Sequence, residues 1–465
     1  MRVKRMLMLF IGFIMVGCIV YGNLQQKPLP AQRVEAPALA TTMSKAEVTK
    51  LVHDKCISCH TSDFELPLFA ANPDIREIVE SGYSDGLRAL DLRDDFGEKA
   101  NDRPVNEATL AKMEWVTLHE SMPLDSPWGS ELSHQERADI LNWVKAERAQ
   151  YYATGTAAPD RANEPVQPIP DSLSTDANKV ALGLTLFNDT RLSADNSISC
   201  HSCHELDKAG TDNARFAEGI NRQKGDVNSP TVFNAVFNFR QFWDGRVATL
   251  HEQVAGPPFN PVEMGSKDWQ QILGKLQEDE DLSAKFTAVY ADGWTPQNIQ
   301  DAISEYERTL ITPNSRFDKW LKGDVLAISV IEADGYQLFK DYRCATCHVG
   351  KALGGQSYEY MDLKKDYFKD RGGVPLDSDA GRKNHTAKDE HKHLFKVPNL
   401  RNIELTAPYL HDGTVESLDE SVRIMGLYLA GITIPEQSRD SIVAFLRTLT
   451  GEYQGEKLKG FVSPK

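Results

Sequence analysis

The sequence lacks any excess of basic residues. Lysine and arginine together number 52 against 67 aspartates and glutamates, which leaves a formal charge of −15 at pH 7. No basic face is visible that could meet phosphates, which argues against a nucleic-acid partner. A basic redox partner and a small neutral substrate are both compatible with this charge, which selects neither of them.

Strand-like patterning is also missing. No segment of any length alternates apolar and polar residues, whereas apolar residues recur often at helical spacing. At 465 residues the chain exceeds one ordinary hydrophobic core. We therefore predict a mostly α protein with several domains.

Long apolar runs are absent after residue 22, and the one before it is short. Residues 6–22 carry no charge and follow the basic segment Met1–Arg5, at the lower length limit for a membrane span. No small-residue cleavage site precedes Gln25–Lys27, so we predict a retained anchor helix with a cytoplasmic N-terminus. A cleaved signal peptide and a lipid-modified Cys18 remain alternatives.

Cysteine is scarce, but its placement is informative. A disulfide framework would not need a histidine after each pair, and a zinc ribbon would bring two C-x-x-C units close together. The two thiols of a C-x-x-C-H unit fit the two vinyl groups of a haem, and the histidine fits as the proximal iron ligand. Six of the seven cysteines fall into such units, which predicts three covalent haem c groups: Cys56-Cys59-His60, Cys200-Cys203-His204 and Cys344-Cys347-His348.

The motifs and the composition shifts divide the chain. A proline-rich connector lies between the first haem unit and the other two, and a densely charged stretch at 364–396 predicts a long surface loop. His385, His391 and His393 in that loop are expected to be solvated rather than metal ligands. The predicted segments are an anchor at 1–22, a tether at 23–44, a mono-haem cytochrome c domain at 45–152, a linker at 153–170, and haem domains at 171–325 and 326–465.

Many short motifs between residues 168 and 451 occur in the order seen in one family. They are Ala181–Gly183, Leu186–Phe187, Asp189–Ser193, Asn228–Thr231, Phe242–Arg246, Asn260–Met264, Glu307–Leu310, Lys396–Asn402 and Ala407–Gly413. With them the chain resembles the bacterial di-haem cytochrome c peroxidases. The additional N-terminal haem domain behind an anchor resembles the tri-haem branch of that family, the quinol peroxidases.

The resemblance implies where catalysis occurs. The haem held by Cys200 and Cys203 would be the peroxidatic one, with Glu263 as its distal acid-base residue. Gln253 matches the hydrogen-bonding neighbour of that glutamate, and Trp243 matches an indole placed between two haems. A carboxylate at such a position can carry a proton between the two peroxide oxygens.

The resemblance also implies the remaining metal ligands. Met425 would be the sixth ligand of the third haem, where a thioether raises the reduction potential. Calcium would bind between the two C-terminal haems through Asn228, Thr406 and Pro408, all as oxygen donors. For the first haem we predict Met122, which precedes a proline; the other candidates for that ligand are Met113, His119 and His134.

One family feature is missing. Many members carry a distal histidine in the loop after the peroxidatic haem, and it blocks the iron until the partner haem is reduced. No histidine occurs between Glu205 and Leu250. We therefore expect this iron to be open at rest, unless His251 or Met264 supplies a ligand.

The resemblance implies a function. The protein would reduce hydrogen peroxide to water, with electrons from a quinol or a small redox protein passing from the first haem to the third and past Trp243 to the second. It would sit in the bacterial inner membrane, in contact with lipid through its N-terminal helix, with the haem domains in the periplasm. The alternatives are an electron-transfer cytochrome without peroxidase activity, which Glu263 and Gln253 argue against, and a di-haem enzyme that oxidises a partner protein, which Met425 argues against.

Overall fold

The structure is a computed structural model that describes residues 43–61, 72–97, 100, 103–123 and 131–462. The chain forms two compact units. The first consists of the described residues up to Glu147, except Arg88–Leu90 and Pro104–Ala111, which belong to the second. The second unit otherwise runs from Arg148 towards the C-terminus and contains two of the three C-x-x-C-H motifs.

Helices dominate both units, which confirms the predicted mostly α class. The helices up to residue 151 are α1 Lys45–Lys55, α2 Pro73–Ala89, α3 Arg93–Phe96, α4 Glu107–Leu118 and α5 His134–Tyr151. Those that follow are α6 Ala177–Phe187, α7 Cys200–Cys203, α8 Leu250–Gln253, α9 Trp269–Gln277, α10 Glu280–Val289, α11 Pro296–Glu307, α12 Arg316–Leu321, α13 Val330–Asp341, α14 Tyr367–Arg371, α15 Lys383–Thr386, α16 Leu418–Ile424 and α17 Glu436–Leu446. A π-helix, Met425–Ala430, directly follows α16.

The strands are short and form two antiparallel pairs. β1 (Tyr358–Tyr360) pairs with β2 (Leu394–Lys396), with Tyr358 opposite Lys396. β3 (Glu452–Tyr453) pairs with β4 (Glu456–Lys457). None is long enough to show an alternating pattern, which is why the sequence did not reveal them.

Among the described helices of the first unit, α1 is well capped and α5 is amphipathic. The Ser44 side chain accepts from the backbone of Glu47, whose carboxylate accepts from the Ser44 backbone, so α1 has a capping box. In α5 the side chains of Ile140, Leu141 and Val144 are buried. The helical spacing of these three residues had predicted such a helix.

Each half of the second unit contains one C-x-x-C-H motif and is built on a pair of crossing helices. α6 packs against α11, and α13 packs against α17. A Cβ atom at Gly183 would lie 1.9 Å from the Ala302 carbonyl oxygen, and one at Gly335 would lie 1.9 Å from the Ser441 carbonyl oxygen. Both crossings therefore require glycine, because any side chain would push the two backbones apart.

The proline-rich connector is docked, not solvated as its composition suggests. Val166, Gln167 and Ile169 are fully buried. Val166 forms a parallel bridge with Gly350, whose backbone N–H donates to the Pro165 carbonyl at 2.8 Å. The connector is thus part of the core that surrounds the third haem motif.

A buried ion pair fastens this connector to both halves. Arg401 and Asp318 have fully buried side chains, and their Nη2 and Oδ1 atoms are 2.8 Å apart. Arg401 also donates to the carbonyls of Gln167 at 3.1 Å and Lys351 at 2.8 Å. The guanidinium is satisfied on several sides, which is what a buried charge requires.

The prediction of a solvated loop at 364–396 is wrong in part. The segment contains α14, α15 and β2. His393 Nδ1 lies 2.7 Å from Asp362 Oδ2, and its ring stacks on Phe368. High charge predicted exposure, but several of these charges pair with one another inside the fold.

The predicted localisation, a bacterial inner membrane with one N-terminal span and periplasmic haem domains, is contradicted. Across the part of the chain that the structure describes, no helix is both long enough and apolar enough to cross a membrane. The predicted span at 6–22, which includes Cys18, and residues 23–42 of the tether lie outside the described residues.

The helix crossing at Gly183 predicts a large effect of the smallest possible substitution. Gly183→Ala should lower the free energy of unfolding by about 1–3 kcal/mol or more, because the new methyl group overlaps the Ala302 backbone. Gly274→Ala in α9 is the matched control, since a Cβ there meets nothing within 4 Å and alanine favours a helix. Thermal denaturation of the two haem-loaded variants measures the difference. Equal melting temperatures of the two variants would contradict the close contact between α6 and α11 at Gly183.

Candidate active site

The two C-x-x-C-H motifs of the second unit orient their histidines in the same way. His204 Nδ1 lies 3.2 Å from the Gly210 carbonyl oxygen, and His348 Nδ1 lies 3.0 Å from the Leu353 carbonyl oxygen. A backbone acceptor at Nδ1 fixes the ring and its tautomer, and leaves Nε2 as the ligand atom. Both residues are thus held as an axial haem ligand must be.

The electrostatics of these histidines also suit iron binding. Burial lowers the pKa of His348 to about 4, and burial likewise lowers the pKa of His204. The neutral imidazole, which is the ligand form, is therefore favoured at both positions. Since the four neighbouring cysteines are free of disulfide bonds, the residues present fit a covalently attached haem at each motif.

The first unit carries the remaining C-x-x-C-H motif, Cys56-Cys59-His60. Cys56 follows α1 directly, and the His60 carbonyl accepts from the Leu92 backbone at 2.8 Å. Met122, the predicted sixth ligand, follows α4 and is partly buried. Of its competitors, Met113 is buried at 8% exposure, and His119 Nδ1 lies 2.9 Å from the Trp115 carbonyl oxygen.

Glu263 lies in a tight loop near the second motif. Its Oε1 accepts from Asn260 Nδ2 at 2.6 Å, and its carbonyl accepts from the Ile220 backbone at 2.8 Å. A Cβ at Gly219 would lie 2.4 Å from the Glu263 carbonyl oxygen, so the two loops are in close contact. After burial and the charge of Asp212, the negative charge of Glu263 also raises the pKa of Cys203, so the carboxyl is near enough to this motif to act on it electrostatically.

Burial sets the proton affinity of this carboxyl. Desolvation raises the pKa of Glu263, while the charge of Arg246 and the hydrogen bond from Asn260 oppose that rise. Arg246 itself lies over the Phe242 ring at 3.5 Å. The raised pKa means that this carboxyl binds a proton at higher pH than an exposed glutamate does, which suits a group that accepts and returns protons.

Gln253 and the two possible blocking ligands lie nearby in the chain. Gln253 ends α8, which packs against α11, and its carbonyl accepts from the Gly256 backbone at 2.9 Å. His251 Nε2 lies 3.3 Å from the Gln297 carbonyl oxygen. Met264 is 2% exposed and belongs to the hydrophobic core. Both alternative ligands therefore already have other contacts.

Trp243 connects the two halves of the second unit through hydrogen bonds. Its indole Nε1 donates to the Asn228 carbonyl at 2.9 Å, and its own carbonyl accepts from the Lys396 backbone at 2.8 Å. Its ring packs against the core of the third motif and meets His411 edge-on at 6.4 Å. Trp243 is therefore hydrogen-bonded through both its ring nitrogen and its backbone carbonyl.

Met425 and the predicted calcium ligands come from irregular backbone. Met425 opens the π-helix and packs against the same core as Cys344. Such helices recur at functional sites. The Asn228 backbone donates to the His411 carbonyl at 2.8 Å, and its amide Nδ2 donates to Ala214, so Oδ1 is the atom a cation would bind.

The backbone segment that contains Thr406 and Pro408 is fastened from the opposite half. Asn213 Nδ2 donates to the carbonyls of Leu405 at 2.9 Å and Ala407 at 3.0 Å. The structure therefore fixes both segments that carry the three calcium candidates, each by hydrogen bonds across the two halves.

Comparison with known proteins identifies this arrangement. The family described as di-haem cytochrome c peroxidase matches residues 177–325, and a haem-binding domain family matches residues 11–146. The chain is 45% identical over 427 residues to the cytochrome c peroxidase Ccp of Escherichia coli K12, which covers 91% of each chain. The chain belongs to the di-haem cytochrome c peroxidase family. It is a haem peroxidase, an oxidoreductase.

Other relatives agree with this assignment. The cytochrome c551 peroxidase of Nitrosomonas europaea is 42% identical and matches 67% of this chain and 90% of its own. A crystal structure of a MauG-like protein associated with microbial copper homeostasis superposes with a TM-score of 0.54 at 28% identity, over 61% of this chain and 93% of its own. The fold of the second unit is thus that of the di-haem peroxidases.

The peroxidase contains a buried cluster that could be mistaken for a metal site. Asp379, His411 and Asp412 bring their ligand atoms within 4.8 Å of one another. However, Arg371 already contacts both carboxylates, at 2.7 Å and 2.6 Å, and His411 Nε2 lies 2.9 Å from Asp379. The guanidinium supplies the positive charge, so this is a salt-bridge network beside Trp243.

Two buried ionisable residues were not predicted from the sequence. Glu307 ends α11 near Cys200; its Oε2 has no hydrogen-bond partner, and burial raises its pKa to about 8. Lys396 ends β2, and burial lowers its pKa to about 8. Both belong to family motifs in the sequence, and that position in a motif was the only available signal.

Proposed function

We propose that this peroxidase carries three haem c groups and reduces hydrogen peroxide to two waters with electrons from a quinol or a small redox protein. The observation that carries the proposal is the Glu263 carboxyl, which is partly buried, has a raised pKa and accepts a hydrogen bond from Asn260. A structural glutamate would more commonly be solvated. Two protons and two electrons are needed for each peroxide.

Cys200 and Cys203 would hold the haem that supplies the iron for peroxide reduction. His204 would hold it on one side, with its Nδ1 directed to the Gly210 carbonyl. Glu263 would take a proton from one peroxide oxygen and deliver it to the other. Asn260 orients the carboxyl for this task, and Gln253 would assist as a hydrogen-bonding neighbour.

Electron supply is proposed to follow the order first, third, second haem. His348 and Met425 would hold the third haem, and His60 and Met122 the first. The support within the second unit is Trp243, whose two ends are hydrogen-bonded to Asn228 and Lys396. Calcium bound by Asn228, Thr406 and Pro408 would stiffen the same connection.

Assignment to the tri-haem, quinol-using branch is also a proposal. It is supported by the extra C-x-x-C-H motif, by the haem-binding domain match at 11–146, and by the shared length with the Escherichia coli relative. Soluble quinol analogues and reduced small cytochromes, compared as donors at equal driving force, distinguish the two donor classes.

The number of haems is directly measurable. Intact mass after acid-acetone extraction should exceed the mass of the polypeptide by about 1.8 kDa, since covalent haem survives this treatment. The Cys56→Ser/Cys59→Ser variant should lose one third of the added mass. A parent protein with only two haems would refute the proposal at the first motif.

Acid-base catalysis predicts the effect of one variant. Glu263→Gln should retain all haems but lower peroxide turnover about 100-fold or more, because the proton carrier is lost. In the parent, activity should fall as the pH drops through the raised pKa of Glu263, and the variant should lack this limb. The control is Glu278→Gln, an exposed residue of the same unit. Turnover of Glu263→Gln within a few-fold of the parent would remove Glu263 from the mechanism.

The missing distal histidine predicts the resting state. Fully oxidised enzyme should show a high-spin signal from one haem and react with peroxide without prior reduction, because His251 and Met264 have other contacts. The measurements are electron paramagnetic resonance and the Soret band during mixing. Three low-spin signals, with no reaction until an electron is added, would show that another side chain blocks the iron.

A further inference from the structure

Lys396 is a buried cation next to the third haem motif. Its relative exposure is 6%, and its Nζ lies 3.4 Å from the Val397 carbonyl oxygen. Its backbone N–H donates to the Trp243 carbonyl at 2.8 Å, and Tyr358 lies opposite it on β1. These backbone contacts fix the position of the Lys396 Cα atom.

A buried ammonium group requires an anion. Desolvation of an unpaired charge is strongly unfavourable, so buried lysines are normally paired. Between residues 131 and 462, where the chain is described without a gap, Nζ forms no ion pair, and its hydrogen bond to Val397 is long. The polypeptide around Lys396 thus supplies the cation but not its partner.

The surroundings of Lys396 belong to the third motif. Its charge acts on His348, which also interacts with the carbonyl of Pro398. A Cβ at Gly354 would lie 2.1 Å from the Pro398 carbonyl oxygen, so the two segments are in direct contact. The residues that follow Lys396 therefore line the pocket in which His348 is held.

A haem brings two propionate carboxylates into its pocket, and these match the missing partner of Lys396. We propose that Lys396 Nζ pairs with a propionate of the haem bound by Cys344 and Cys347 and thereby raises the reduction potential of that haem. A positive charge near the iron favours the reduced state, which carries one less positive charge. Lys396 is thus a positioning residue for electron transfer, not a catalytic one.

The same residue links this haem to the tryptophan. The Lys396 side chain would hold the propionate while its backbone N–H holds the Trp243 carbonyl. This inference rests on the proposal that the Cys344/Cys347 motif carries the electron-accepting haem. It is independent of Glu263, whose substitution should leave the potential of this haem unchanged.

The test compares neutral and charged substitutions. Lys396→Met should shift the ferric–ferrous equilibrium of this haem towards ferric by about tenfold or more, which is about 59 mV for one electron. Lys396→Arg should stay close to the parent. Lys392→Met removes an identical charge from an exposed position of the same segment and should have little effect. Spectroelectrochemical titration measures the potentials, and resonance Raman reports the propionate bending band.

The outcomes separate clearly. A lowered potential with a shifted propionate band in Lys396→Met alone supports the pairing, whatever the turnover of the variant. An unchanged potential and an unchanged band would overturn it. Should Lys396→Met and Lys396→Gln both fail to take up this haem, retention by Lys396→Arg would still support a charge requirement. Loss in the arginine variant too would show that side-chain shape matters instead, and would overturn the proposal.

Discussion

The buried ion pair between Arg401 and Asp318 is the constraint on which the second unit depends. Asp318 comes from α12, whereas Arg401 belongs to the segment that follows β2, and their side chains are fully buried. Removing either partner would leave an uncompensated charge, at about 3–5 kcal/mol. The same guanidinium holds the Gln167 and Lys351 carbonyls, so one residue aligns the connector with the third haem motif.

Around this ion pair, the residues proposed to act in electron transfer lie in irregular loops between the helices. Phe242, beside Trp243, has a φ of 69°, and Leu410, beside His411, also has a φ of 69°. Non-glycine residues adopt this conformation at a cost, and such positions concentrate at functional sites. Arg382 donates to the carbonyls of Asp244 and Gly245 at 3.1 Å each, which holds the tryptophan loop in place.

Some of this architecture could be read from the sequence, and the reasons are physical. The C-x-x-C-H units and the apolar spacing in α5 depend only on residues close together in the sequence, so they can be recognised without knowledge of the fold. The burial of Lys396 and the docking of the connector could not be inferred. Charge and proline both predict exposure locally, while their actual environment is supplied by residues far away in the chain, such as Trp243 and Arg401. The role proposed for Glu263 rests on the family motif around it, because nothing local distinguishes this glutamate from one at the start of a helix.

The docked connector determines which shorter fragments of this protein can fold. A fragment that starts at residue 171, after the last proline of the connector, would lack the strand-like bridge of Val166 and the Gln167 carbonyl that Arg401 binds. Its core would be open at Leu353 and Phe317, which share a cluster with Val166. A fragment that carries only the two C-x-x-C-H motifs of the second unit must therefore begin upstream of Pro165, since Glu164 also pairs with Lys340 and the Ala158 backbone donates to the Leu321 carbonyl.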